Sequence, residues 1–299
     1  MAIDDTSSFI IGVNADMSKI RNTNGNYWEP VGDNIQLAID DLANTGGYGA
    51  VFVGSETTIY EPIQLKSNVL LDFLNNRCNI GANCDFVQVK ACRFATVQNV
   101  MPWLLRGISN TAAMLHLIIP DGGGWADRLE FNTFRNIQMK NDTLQHDQYT
   151  GIHFECRTSR TLRQTFDNIR MWEPKDGILM ETPGPNGWVN GCNFNNIYID
   201  GFQTMVNFDG CGIGNKDCNY NVFNDIKGQT RTWSQYGFKN INGDGNSFGD
   251  GCLVWDWHST SAPYDWIVAP SAGNTRICAQ HITNILDQGS GTTYCGQSQ

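Results

Sequence analysis

Apolar and polar positions in this chain follow a short unit that returns along the sequence, polar-x-Phe-x-Asn-Ile. It reads Asn132-Thr-Phe134-Arg-Asn136-Ile137, then Gln164-Thr-Phe166-Asp-Asn168-Ile169, Cys192-Asn-Phe194-Asn-Asn196-Ile197 and Asn221-Val-Phe223-Asn-Asp225-Ile226. Weaker copies are Ala95-Thr-Val97-Gln-Asn99-Val100, Asn246-Ser-Phe248-Gly-Asp250-Gly251 and Gln280-His-Ile282-Thr-Asn284-Ile285. The apolar anchors at 97, 134, 166, 194, 223, 248 and 282 are 37, 32, 28, 29, 25 and 34 residues apart. Helical arrays and leucine-rich repeats hold their period tightly, whereas a parallel β-helix keeps its strands in register and lets its turns swell. The predicted coil has Phe and Ile flanking a bend with Asn at the corner, where amide side chains can hydrogen-bond from coil to coil.

A second strand is predicted in the same coils. Gly151–Glu155, Gly177–Glu181 and Met205–Asp209 share one alternation, with Ile152/Phe154, Ile178/Met180 and Val206/Phe208 on one side and the intervening residues on the other. Gly237–Ile241 fits the next coil less well. Ahead of the repeats, Ile35, Ala38, Ile39 and Leu42 form a stripe at helical spacing. Asp33 reads as its cap, Gln36 takes the capping-box position and Thr45-Gly-Gly is the stop. An open strand stack needs a cover, and a helix over about 33–43 would supply it.

The segment Asp33-Asn-Ile-Gln-Leu-Ala-Ile-Asp-Asp-Leu, with Gly46-Gly47, Val51-Phe-Val53, Ile63-Gln-Leu65-Lys-Ser67-Asn68-Val69 and Leu71-Asp-Phe73, resembles the opening of the pectate-lyase-like right-handed β-helix superfamily. With the repeats, the resemblance covers about residues 30–290. It implies an all-β, single-stranded right-handed parallel β-helix of about 7–8 coils with an N-terminal capping helix. An arm over 1–30 would precede a β-helix domain over 31–299, with coils over about 50–290. The superfamily holds polygalacturonases, polysaccharide lyases and phage tailspikes, so the resemblance implies a polysaccharide partner and, through the tailspikes, a homotrimer. The polygalacturonase and pectate-lyase hallmark motifs are not intact here, and no catalytic residue is carried over from either family.

Composition narrows the setting. Twenty basic and 30 acidic residues give a net charge of −10, which disfavours nucleic acid and anionic membrane as partners. Asn numbers 32, more than Lys and Arg together, against the profile of a long-helix protein. No apolar run approaches the roughly 20 residues of a membrane span, and Met1-Ala-Ile-Asp-Asp lacks the look of a signal peptide. Ten cysteines, none in a C-x-x-C pair, point to an oxidising setting, either outside the cell or on a virion surface. Cys78 with Cys84 and Cys211 with Cys218 are the local bridges expected, with buried free thiols as the alternative.

The candidate chemistry lies in the shared alternation. Glu155, Glu181 and Asp209 are one coil apart at intervals of 26 and 28 residues, so neighbours would lie about 4.8 Å apart on one outer face. Crowded carboxylates should raise at least one pKa, the condition for pairing an acid with a nucleophile or base in glycoside hydrolysis. His153 shares the face of Glu155, Asn207 holds the equivalent place two coils on, and Asp176 is a supporting carboxyl. A lyase, the second enzymatic choice, needs a base and cations, for which His153, Arg157, Lys175 and Lys239 are the candidates. Trp103 and Trp172 each follow the ladder Asn of their coil by four residues and could stack sugars, as could Trp257 in a later turn. Asn242-Gly-Asp244-Gly-Asn246 has the acid/amide alternation of a calcium loop without its glycine and glutamate, so Ca2+ is the one cofactor considered. The competing class is a non-catalytic adhesin or virion protein that uses the coil as a rigid scaffold.

Overall fold

The computed structural model describes residues 9–13, 20–21, 27–28, 34–44, 49–54, 56–108, 111–122, 124–142, 149–184, 186–209, 218–255, 265–279 and 284–295. They form a single-stranded parallel β-helix of about seven turns, with one short helix near the N-terminal end. Among these residues the strands stack into a long sheet of sixteen, a second of nine and a short one of three.

The repeat unit builds the long sheet. Val97, Phe134, Phe166, Phe194, Phe223 and Phe248 are in register on successive strands, and all are buried. From Phe134 to Phe248 their rings stack face to face with centroids 5.0, 5.0, 4.7 and 4.7 Å apart. The corner asparagines form the expected amide ladder. Asn136 donates to Asn99 at 2.9 Å, Asn168 to Asn136 at 2.8 Å and Asn196 to Asn168 at 3.2 Å. All four have left-handed backbone, φ 50° to 56°, which asparagine tolerates better than most residues.

One repeat copy was misplaced by the motif. Phe248 pairs with Ile277, and Ile277 with Tyr294, so Ile277 is the next anchor rather than Ile282, which lies outside the described residues. Ile285, the last residue of that copy, belongs to the nine-stranded sheet in the strand Ile285–Asp287. The short unit does not distinguish the two sheets where an aromatic anchor is missing.

The helix Asn34–Asn44 buries Ile35, Ala38, Ile39 and Leu42 against the first coil, as its stripe predicts. Gln36 has a different task from the one expected. Its Oε1 accepts from the Gln64 backbone N–H at 2.7 Å and its Nε2 donates to the Gln64 carbonyl at 3.2 Å. Gln64 lies on Ile63–Leu65, the edge strand of the nine-stranded sheet, so the amide pairs backbone groups that the stack would leave open. Asp33 lies outside the described residues. Within the expected arm over 1–30, Phe9–Val13 runs parallel to Gly49–Val53 and extends the long sheet.

Cysteine pairing also departs in part from expectation. Cys78 and Cys84 form no disulfide, with Cys78 buried inside the coil and Cys84 half-buried. Cys218 is disulfide-bonded, while Cys211 lies outside the described residues. A bridge between Cys278 and Cys295, absent from the sequence expectations, ties together the last two coils.

Candidate active site

The nine-stranded sheet turns its outer face to solvent, and strict register stacks like positions on it. Ala113–Ile119, Thr150–Cys156, Asp176–Glu181 and Thr204–Asp209 are four consecutive strands. Glu155 pairs with Glu181 and Glu181 with Asp209, so the three acids form one line across adjacent strands. The inward residues Ile152, Phe154, Ile178, Met180, Val206 and Phe208 are buried, and they fix which way the acids point.

The carboxylates do not stand alone. His116 pairs with His153 across the first two strands, and their rings stack with centroids 4.5 Å apart. His153 Nε2 is 2.9 Å from Glu181 Oε2. His116 Nδ1 is 2.9 Å from Asp85 Oδ2, and its Nε2 lies 3.2 Å from Glu155 Oε2. Both nitrogens of His116 therefore lie near carboxylates. Arg157 Nε donates to Glu155 Oε1 at 2.7 Å, and its guanidinium lies 3.5 Å from Asp121.

At Glu181 these partners act against the shift that crowding predicts. The hydrogen bond from His153 holds the Glu181 carboxyl below the usual carboxylate range, against the opposing effect of partial burial, and His153, Arg157 and His116 add attraction. The pull of these partners outweighs burial, so Glu181 is not the raised carboxyl expected of the line. Burial pushes Asp85 up, but the hydrogen bond and charge of His116, with hydrogen bonds from Gln88 and the Ala113 N–H, outweigh it and hold Asp85 low.

The raised carboxyl is Asp176. Burial lifts it, while Lys175, Thr204, Lys239 and Asn207 work in the other direction. Asp176 is five residues before Glu181 on one strand, about 16 Å away along the chain direction. Asn207, in register with Leu179 and Lys239, belongs to its surroundings. The structure thus brings Glu155, Glu181, Asp209, His153 and Arg157 together, and sets Asp176, Asn207, Lys175 and Lys239 in a second cluster on the same sheet.

A carboxyl raised by burial is most favourable to folding below its unfolded pKa of about 3.9, and that contribution is lost as pH rises through the raised value. Asp176→Asn should therefore stabilise the protein at pH 7 by roughly 1 kcal/mol. The gain should shrink toward pH 4 in urea titrations at both pH values. A loss of stability at pH 7 would show that the Asp176 charge is needed by its neighbours.

Trp103 and Trp172 lie on the long sheet, away from the acid line. Lys140 sits between them with its Nζ 5.0 Å from each ring, and Arg77 covers Trp103 at 4.2 Å. These cations occupy faces that a sugar would need. Trp257 lies outside the described residues. Asp244, from the calcium-like segment, accepts from Asn274 at 2.7 Å, and Asn246 is buried in backbone contacts, donating to the Cys218 and Asn242 carbonyls.

Sequence reasoning missed His116 and Asp85. The signal for His116 was present, since Ala113–Ile119 has the alternation of Thr150–Cys156 with His at the same position. It also missed Trp125 and Trp188, which flank Arg160 with cation–ring distances of 5.2 and 3.9 Å beside a recess of about 300 Å³.

No family model matches this chain, and neither a curated protein nor a solved structure matches it. The fold and the site geometry therefore carry the functional reading.

Proposed function

We propose that the outer face of the nine-stranded sheet binds an extended polysaccharide and cleaves it, by hydrolysis rather than elimination. The observation that carries this reading is the line Glu155–Glu181–Asp209 on adjacent strands beside the stacked His116 and His153. Strands about 4.8 Å apart suit the roughly 5 Å between carboxyl groups in retaining glycoside hydrolysis. Glu181, held ionised, is the nucleophile or base. The proton for the leaving oxygen comes from the Glu155–His116 couple one strand away. The resemblance to polysaccharide-active β-helices and the disulfides agree with work outside a cell or on a virion surface.

Elimination is less well served. Arg157 is engaged by Glu155 and Asp121, while Lys175 and Lys239 lie around Asp176, away from the acid line. A second reading, a non-catalytic adhesin, draws support from the same neutralised carboxylates, which would make a rigid, well-paired surface. Incubation with a panel of neutral, amino and uronate glycans distinguishes the three. New reducing ends without unsaturated uronate absorbance mark the hydrolase, and absorbance marks the lyase. Retained binding without either product identifies the adhesin and ends the catalytic reading.

A further inference from the structure

A different corner of the coil carries a row of exposed side chains that the lateral site does not use. Where the three-stranded sheet turns into the long sheet, one residue per coil adopts left-handed backbone. Phe94, Phe131, Arg163, Gly191, Tyr220 and Gly245 are six successive rungs, with φ between 53° and 66°, and Asn68 and Asn274 continue the row at either end. Backbone hydrogen bonds fix the register. The N–H of Phe131 donates to the Leu162 carbonyl, Arg163 to Asn190, Gly191 to Asn219 and Tyr220 to Asp244, each acceptor just preceding the next rung.

Glycine or asparagine takes this conformation readily, as at Asn68 and Gly245, whereas Phe, Arg and Tyr take it under strain. The large side chains here also gain little burial in return. Phe94, Phe131 and Tyr220 are 55%, 40% and 61% exposed. Strained, exposed aromatics at a regular position are better explained by a binding role than by folding.

Their arrangement specifies the role. Phe94 and Phe131 stack in parallel at 5.2 Å, and the Arg163 guanidinium lies 5.4 Å from the Phe131 ring. The next rung, Gly191, has no side chain. Beyond it Tyr220 leans the other way, since a Cβ on Gly245 would meet its ring at 2.6 Å, while its hydroxyl donates to Asp244 at 3.3 Å. The stack therefore has one missing rung, and a recess of about 530 Å³ opens there, bordered by Glu130 and Asn190.

We propose that this slot is a binding subsite for one pyranose ring of a glycan, stacked between the Arg163 side chain and the Tyr220 ring. The backbones of Arg163 and Tyr220 are two coils apart, about 9.6 Å, and Tyr220 leans toward Gly245 rather than into the slot, so one ring has room to enter between them. The walls are apolar, a methylene stem and an aromatic face, while the rim is polar, with the Glu130 carboxylate paired to Arg128 at 2.7 Å and the Asn190 Oδ1 accepting from the Asn219 N–H at 2.9 Å. A pyranose has this division, with C–H faces and a polar edge. The choice of a glycan draws on the reading of the lateral face, but the slot lies on another corner and is tested separately.

Two variants isolate the slot in the full-length protein. Tyr220→Ala removes one wall. Gly191→Asn fills the missing rung with a residue that the row already accepts at Asn68 and Asn274, and a Cβ at 191 comes no closer than 3.7 Å to Arg163 Cγ. Binding is measured by calorimetry with hexasaccharides of α-1,4-glucose, β-1,4-glucose, β-1,4-N-acetylglucosamine and α-1,4-galacturonate. At least one should bind the parent protein, and each variant should weaken it by roughly 5- to 100-fold with the melting temperature kept. Failure of all four to bind at about 10 mM overturns the proposal, as does unchanged binding by both variants. Binding that is lost in His153→Ala but kept in Tyr220→Ala and Gly191→Asn overturns the slot while supporting the lateral site. Slot-dependent binding without cleavage does the reverse.

Discussion

Glu181→Gln should abolish cleavage of whichever panel glycan the protein degrades, by about 10³-fold or more in kcat, with little change in KM. The substitution is nearly isosteric, so the amide oxygen can still accept from His153, now 2.9 Å from Oε2. What it removes is the negative charge. That charge is maintained by the hydrogen bond from His153 and by the nearby cations, which hold the carboxyl below its ordinary range despite partial burial. A group kept ionised in this way fits a nucleophile or electrostatic stabiliser better than a proton donor.

The sign of the pH dependence follows. Because the folded pKa of Glu181 is depressed, its charged form and the stability it contributes are present above the unfolded value of about 4.3, and both are lost as pH falls through the folded value. Asp85 acts in the same direction. Activity should hold as pH falls through the ordinary carboxylate range and decline only below it. The decline should coincide with loss of acid stability in the parent protein, and that loss of stability should be smaller in Glu181→Gln. Retention of more than a tenth of the parent rate by Glu181→Gln would remove the acid line from the mechanism, and attention would shift to Asp176.

The parts of the molecule that could be read from sequence are those in which one coil repeats another. Phe134, Phe166, Phe194 and Phe223 share a motif because they share a place in the stack, and the corner asparagines do so because left-handed backbone and an amide ladder are needed there in each coil. The line Glu155–Glu181–Asp209 was legible for the same reason, as strand alternation fixes both register and face. Of what surrounds the line, His153 and Arg157 were legible and the rest was not. Asp85 approaches His116 from 31 residues away, across a turn whose length follows no rule, and the charge balance of Glu181 depends on such neighbours. Gln36 looked like part of a helix cap because the local spacing allowed it, but the open edge of the first coil supplied a stronger demand. The turn row from Phe94 to Gly245 escaped notice because the coils place it at irregular intervals and with dissimilar side chains.

Phe194→Ala should be among the most destabilising single substitutions in the coil, at about 3–5 kcal/mol. Phe194 is fully buried, stacked on Phe166 at 5.0 Å and on Phe223 at 4.7 Å, with the edge of Phe154 at 6.0 Å. Truncation forfeits the transfer of a large ring and leaves a cavity that its neighbours cannot close, because register holds each of them to its own strand. It also breaks two parallel stacks, each adding about 0.5–1.5 kcal/mol beyond buried area. In a solenoid each coil contacts only its neighbours, so a weak central coil divides the array where a weak terminal coil only frays it. Ile277→Ala, near the C-terminal end of the same column, is the control. Urea unfolding of Phe194→Ala should show an early midpoint and a reduced slope, the sign of lost two-state behaviour, while Ile277→Ala keeps the main transition. Hydrogen exchange should lose protection in Thr165–Trp172 and Asn193–Asp200 together in the first variant, and only in the last coils in the second. A cost for Phe194→Ala below about 1 kcal/mol, with exchange unchanged on both sides, would mean that the aromatic column does not couple the coils and that their stability lies in the backbone ladders instead.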